Sequence, residues 1–76
     1  MSLEEKVVKV VVEQLGVSKN RVIPSAKVAD DLGADSLDVT ELIMALEEKF
    51  DLKIEDKEAK DLQTVQDIYD YVNSHS

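Results

Sequence analysis

The chain has no cysteine and no tryptophan, and only one proline and two glycines, among its 76 residues. Without cysteine it can form neither disulfides nor thiolate metal sites, and it has no thiol nucleophile. Its stability must therefore come from packing alone. The apolar content of 43% is enough for one small core, and so short a chain leaves no material for a second. We expect a single domain covering residues 1–76.

Long apolar runs are also missing. The longest is Leu42-Ile43-Met44-Ala45-Leu46, far below the stretch of about 20 apolar residues that crosses a membrane. No charged start followed by an apolar segment and a small-residue cleavage pattern marks a signal peptide. We therefore expect a soluble, cytoplasmic protein with no insertion into membranes.

Basic residues are outnumbered, and the formal net charge is -8 at pH 7. This argues against nucleic acid as a partner, because phosphate contacts require clustered lysine and arginine. The charge is also uneven: it is +2 over residues 1–29, -7 over residues 30–51 and -3 over residues 52–76. Basic protein surfaces are the expected partners of the central segment. An acidic face that serves only solubility is the alternative.

Capping signals and periodicity predict the first helix over residues 3–15. Ser2-Leu3-Glu4-Glu5 fits a capping box, and Gly16 is a natural stop. The valine run favours a strand by propensity. The apolar residues Leu3, Val7, Val11 and Leu15 recur at four-residue intervals, and this spacing favours a helix.

A long connection follows over residues 17–34, and connections of this length are usually functional or pinned by buried side chains. The side chains expected to be buried and to hold the connection in place are those of Val22, Ile23, Val28 and Leu32. The second helix is predicted from about Ser36 to Phe50. Its core stripe, at about 100° per residue, comprises Val39, Leu42, Ile43, Leu46 and Phe50.

In the last third of the chain, the sequence pattern predicts a short helix followed by a longer one. Residues 51–56 read as a linker, followed by a helix of one or two turns near Lys57 to Asp61, capped by Asp56. Thr64-Val65-Gln66-Asp67 is a second capping box, from which a last helix runs to about Asn73 before a frayed tail over residues 74–76. Its core stripe is Val65, Ile68, Tyr69 and Val72. The prediction is an all-α bundle of three to four helices, with a long loop between helices 1 and 2 and a short third helix.

Ser36 is the one chemically distinctive residue. With Asp35 as N-cap and Asp38 at N3, Ser36 occupies the first helical position, where free N–H groups and the helix dipole would stabilise an attached phosphate. A catalytic serine needs an adjacent base, and the only histidine is His75 in the tail. We therefore predict no catalytic residue. The plain alternative is that Ser36 merely helps to cap the helix.

The face of the second helix opposite its core stripe mixes apolar and acidic residues: Leu37, Glu41, Met44 and Glu48, flanked by Asp38, Ala45 and Glu47. Apolar residues with a charged rim indicate a docking face. Scattered surface hydrophobes are the alternative. No EF-hand pattern exists, and no metal site is predicted. Weak divalent binding remains open at Asp30, Asp31, Asp35 or Asp38.

Residues 32–38 (Leu-Gly-Ala-Asp-Ser-Leu-Asp), continuing through 41–50, closely resemble the attachment-site helix of the acyl carrier proteins of dissociated fatty acid synthesis, the bacterial and plastid type. The likeness extends to residues 13–17 and 64–67, so it covers nearly the whole chain. Two positions depart from the usual pattern, because Val28 replaces an aromatic residue and Glu55 replaces a proline.

The resemblance implies that Ser36 receives 4'-phosphopantetheine from coenzyme A through a separate phosphopantetheinyl transferase. The arm would carry growing fatty acyl chains as thioesters, shelter them in the bundle and present them to fatty acid synthesis enzymes with basic patches. It implies a non-catalytic protein, expected to be a monomer. The positions around the arm would be Asp35, Ser36, Leu37 and Asp38. The partner-binding positions would be Leu37, Asp38, Glu41, Met44, Glu47 and Glu48. A carrier of polyketide or specialised acyl chains, or an acidic adaptor without a prosthetic group, are the alternatives.

Overall fold

A computed structural model describes residues 2–75, and this part of the chain contains four α-helices. These are α1 (Leu3–Leu15), α2 (Ser36–Phe50), α3 (Asp56–Ala59) and α4 (Val65–His75). Within this range the only β-type pairing is an isolated antiparallel bridge between Lys27 and Thr64. The predicted all-α bundle with a long first connection and a short third helix is confirmed. Over residues 2–75, no helix has the length and apolar character needed to cross a membrane.

The helix α1 forms as predicted, despite its run of valines. The Ser2 hydroxyl accepts the backbone N–H of Glu5 at 3.1 Å, and Gly16 ends the helix in the left-handed conformation with φ 65°. Val7, Val10 and Val11 are buried. Burial of this stripe against α2 and α4 outweighs the strand propensity of valine.

The connection between α1 and α2 is more ordered than the sequence predicts. It contains a 3₁₀ helix at Lys19–Arg21 and then runs beside the start of α4. There the Val28 N–H donates to the carbonyl of Gln63 at 2.9 Å, and the Val65 N–H donates to that of Ala26 at 3.0 Å. These bonds fix the connection across one end of the bundle.

The side chains predicted to be buried in this connection are buried, with one exception. Val22, Val28 and Leu32 are buried, whereas the side chain of Ile23 is 50% exposed. Ile23 opens a tight turn, in which its carbonyl accepts the N–H of Ala26 at 2.9 Å, and its side chain faces solvent. Ala26 is buried instead.

The short helix α3 begins one residue earlier than predicted, and the prediction of Asp56 as its cap is wrong. Glu55 is the N-cap residue, and no side chain caps the helix. The Glu55 carbonyl accepts the N–H groups of Glu58 at 2.9 Å and Ala59 at 2.8 Å, so Asp56 already lies inside the first turn. None of the residues in α3 is fully buried.

The predicted capping box of α4 is present. The Thr64 hydroxyl accepts the N–H of Asp67 at 3.1 Å, and the Asp67 carboxylate accepts the N–H of Thr64 at 3.1 Å. The helix continues to His75, two residues beyond its predicted end. The His75 ring stacks on Tyr71, with centroids 4.0 Å apart, and this contact orders the last turn that was expected to fray. Ser76 lies outside the described residues.

Candidate functional site

Ser36 is the first residue of α2, and its side chain is exposed. Gly33, with φ 72°, turns the chain into the helix, and Asp35 serves as N-cap in an extended conformation. The Asp35 carboxylate accepts the N–H of Asp38 at 2.9 Å, and the Asp38 carboxylate accepts the N–H of Asp35 at 3.2 Å. The predicted N-cap and N3 positions are confirmed, and their two side chains form a reciprocal capping box with Ser36 at the first helical position.

This geometry suits a phosphate ester on the serine. The capping box does not use the N–H groups of Ser36 and Leu37, which point out of the N-terminal end of α2. The positive end of the helix dipole lies at the same place, and it favours a negative charge. The hydroxyl of Ser36 is accessible to a second protein. The N-terminal end of α2 beside it would stabilise the negative charge of a phosphodiester.

The outward stripe of α2 is exposed as the sequence predicts. Leu37 is 65% exposed and Met44 is 59% exposed, although both are large apolar residues. Glu41 and Glu48 on the same stripe are also exposed. The core side of the helix is anchored by Leu42, which is buried. An apolar contact area with carboxylates beside it therefore faces solvent along the helix that begins at Ser36.

Asp38 and Glu47 differ from the exposed stripe. Both are half-buried, and both carboxylates already accept hydrogen bonds within the chain. Asp38 belongs to the capping box, while the Glu47 carboxylate accepts the N–H of Ile54 at 2.8 Å. Sequence reasoning missed this role of Glu47, because Glu47 and Ile54 become neighbours only through the reversal after α2, where Asp51 is left-handed with φ 51°.

A cleft opens directly beside Ser36, between α2 and the segment containing α3. Its cavity volume is about 770 Å³, compared with about 280 Å³ for the depression between α1 and α2. One end of the cleft reaches Ser36, and its lining includes Val39, Ile43, Met44, Ile54 and Ala59. Polar groups border it at Thr40, Glu47, Asp56 and Lys60. The half-burial of Val39 and Ile43, both predicted as core residues, follows from their place on this wall.

The acidic residues of this region do not assemble a metal centre. Across the described residues 2–75, no group of three or more His, Asp or Glu side chains is arranged to hold a metal ion. The Asp31 carboxylate accepts the N–H of Lys27 at 2.8 Å, and Asp35 and Asp38 cap α2. These carboxylates serve local backbone structure.

The structure is thus a small helical bundle with an exposed serine at the first position of its second helix. Residues 5–72 match the protein family described as "Phosphopantetheine attachment site". This match spans most of the 76-residue chain, and the chain belongs to that family.

Membership fixes the cofactor and the general role. The chain is a carrier domain to which 4'-phosphopantetheine is covalently attached. Domains of this kind are non-catalytic. A phosphopantetheinyl transferase modifies them, and acyl-processing enzymes use them. The alternative of an adaptor without a prosthetic group does not agree with this membership.

Proposed function

We propose that Ser36 is the attachment residue and that the protein carries growing fatty acyl chains as thioesters. In the loading step the Ser36 hydroxyl oxygen bonds to the phosphorus of the pantetheine phosphate of coenzyme A. The bond to the departing phosphate breaks, 3',5'-adenosine bisphosphate leaves, and the hydroxyl proton passes to a base of the transferase. The observation that carries the proposal is the position of Ser36, which is exposed at the start of α2 and borders the cleft.

The cleft supports an aliphatic cargo. Half of its lining residues are apolar, including Val39, Ile43 and Ile54, and its lining begins at Ser36. Each methylene group moved from water into such an environment gains roughly 0.8 kcal/mol. An acyl chain at the end of a flexible arm can therefore fold back into the cleft and be protected from solvent. Polyketide intermediates, which carry more oxygen, would gain less.

The exposed stripe of α2 supports docking by basic enzyme surfaces. Leu37 and Met44 supply the apolar contact, and Glu41 and Glu48 supply charge. Asp38 and Glu47 lie beside them and add negative potential, although their carboxylates are hydrogen-bonded within the chain. We propose that the transferase and the enzymes of fatty acid synthesis bind to this face, and that the carrier is monomeric and cytoplasmic.

The chemistry of the cargo link has a direct test. The protein is loaded from a fatty acyl-coenzyme A by a transferase, and its intact mass is recorded before and after treatment with neutral hydroxylamine. Hydroxylamine attacks a thioester carbonyl, forms the hydroxamate and frees the thiol. We expect the mass to fall by the acyl group alone and to stop at the phosphopantetheine form. An acyl group that resists hydroxylamine would contradict carriage as a thioester.

A further inference from the structure

One peptide group between α2 and α3 is held by side chains from two other parts of the bundle. The Glu47 carboxylate, from α2, accepts the N–H of Ile54 at 2.8 Å. The Tyr71 hydroxyl, from α4, donates to the carbonyl of Lys53 at 3.0 Å. The carbonyl of Lys53 and the N–H of Ile54 are the two ends of the same peptide group. We call this pair of hydrogen bonds the Lys53–Ile54 clamp.

The two halves of the clamp differ in exposure, since the hydrogen bond to Glu47 is partly buried and that from Tyr71 lies at the surface. The Ile54 side chain is only 6% exposed, and Glu47 and Tyr71 are half-buried. Burial raises the pKa of the Tyr71 phenol, and the neighbouring carboxylates of Glu58, Glu55 and Glu47 raise it further. The phenol therefore keeps its proton at neutral pH and remains a hydrogen-bond donor.

Apart from the packing of Ala59 against the core, few contacts hold helix α3. It has four residues, none of them fully buried, and no side-chain cap. The main helix packing of the bundle is that of α1 against α2 and α4. Nevertheless, Asp56, Ala59 and Lys60 line the cleft opposite α2. The position of this wall therefore depends on the peptide that immediately precedes it.

From this geometry we propose that the Lys53–Ile54 clamp sets how far the cleft can open and so limits the length of acyl chain that the protein shelters. Glu47 and Tyr71 are positioning residues, because they act through Ile54 and α3. The inference rests on the proposed function, in which the acyl chain enters the cleft. Releasing either hydrogen bond lets α3 move away from α2 at lower cost, and longer chains then fit.

The variants remove the donor or the acceptor of each half of the clamp. Tyr71→Phe removes the hydroxyl, which donates to the Lys53 carbonyl and also interacts with Glu58, and keeps the ring that stacks on His75. Glu47→Ala removes the acceptor, whereas Glu47→Gln keeps a carbonyl oxygen in its place. Tyr69→Phe is the matched control, since it deletes a hydroxyl from the same helix outside the clamp.

The first readout is amide hydrogen exchange in the protein without cargo. We expect exchange at Ile54 to rise roughly threefold to tenfold in Glu47→Ala, as the loss of one hydrogen bond implies. We expect little change in Glu47→Gln. Core amides such as that of Val11 report the global stability and correct for it. Exchange at Ile54 that rises no more than at Val11 overturns the clamp.

The second readout is the melting temperature of protein loaded on Ser36 with saturated chains of increasing length. In the wild type we expect the melting temperature to rise with each added pair of carbons until the cleft is filled, and then to level off. In Tyr71→Phe and Glu47→Ala we expect this plateau to shift to longer chains. In Tyr69→Phe it should match that of the wild type.

The outcomes separate this inference from the function on which it rests. A plateau at the same length in wild type, Tyr71→Phe and Glu47→Ala overturns the inference alone, even if all melting temperatures fall by a constant amount. A loaded wild type with no dependence on chain length refutes cargo entry into the cleft, and the role of the clamp with it. A plateau that shifts in the two clamp variants, and not in Tyr69→Phe, supports both.

Discussion

Asp35 and Asp38 cap α2 reciprocally, since each carboxylate accepts the backbone N–H of the other residue, at 2.9 Å and 3.2 Å. Two acidic side chains are thereby used for local structure on either side of Ser36. The hydroxyl between them is left exposed and outside the cap. This arrangement defines where α2 begins and keeps the serine accessible.

Removal of the cap should destabilise the protein measurably. We expect Asp35→Ala to lower the free energy of unfolding by about 1 kcal/mol, the typical loss for an N-cap aspartate. Urea titration followed by circular dichroism measures it. Asp30→Ala is the control, because Asp30 is exposed in the same acidic segment and lies outside the capping box. Equal losses in the two variants would show that charge, and not capping, is the cause.

Charge reversal on the exposed stripe should weaken docking. We expect the double variant Glu41→Lys and Glu48→Lys to raise the KM of the transferase for this protein roughly tenfold at low salt. At about 1 M salt, where the Debye length is about 3 Å, the two proteins should converge.

The matched control for this experiment reverses Asp61 and Asp70, which are exposed in the region of α3 and α4 and lie outside α2. It changes the net charge by the same amount. If the control raises KM as much as the stripe variant does, net charge alone governs the encounter, and the assignment of the docking face is wrong.

Tyr69 should contribute a pH dependence to stability at alkaline pH. Burial raises the pKa of its phenol above the ordinary value of 10.0, and the charge of Glu4 raises it further. The unfolded chain therefore releases this proton first as the pH rises. The contribution is fully present below pH 10 and is lost as the pH rises through the folded pKa.

We accordingly expect Tyr69→Phe to lose stability less steeply above pH 10 than the wild type does. Urea midpoints measured between neutral and alkaline pH give the comparison. Glu4→Gln should fall between the two, because it removes the smaller cause and leaves burial in place. Parallel declines in wild type and Tyr69→Phe would mean that other groups, such as the lysines, account for the whole effect.

Local signals in the sequence predicted most of the fold. The N-cap residues Ser2, Asp35 and Thr64 and the stop at Gly16 are decided by residues within one helical turn, so they could be predicted from the sequence. The exposure of Leu37 and Met44 likewise follows from helical geometry. The structure around Ser36 is built from these local features, which explains why its position at the start of α2 was predictable.

The features that were missed depend on contacts between distant residues. The hydroxyl of Tyr71 meets the carbonyl of Lys53 across 18 residues of sequence, and no periodic pattern encodes that meeting. The exposure of Ile23 depends on a turn whose direction is set by the pairing of the connection with the start of α4. The last turn of α4 depends on the ring contact between Tyr71 and His75.

The most direct test of the central claim is the intact mass of the protein after incubation with coenzyme A and a phosphopantetheinyl transferase. Wild type and Ser25→Ala, which alters another exposed serine, should each gain the mass of one phosphopantetheine, and peptide mapping should place it on Ser36. Ser36→Ala should gain nothing while keeping the helical content of the wild type. A wild type that gains no mass, or an arm found on any other residue, would contradict the assignment of Ser36 as the attachment site.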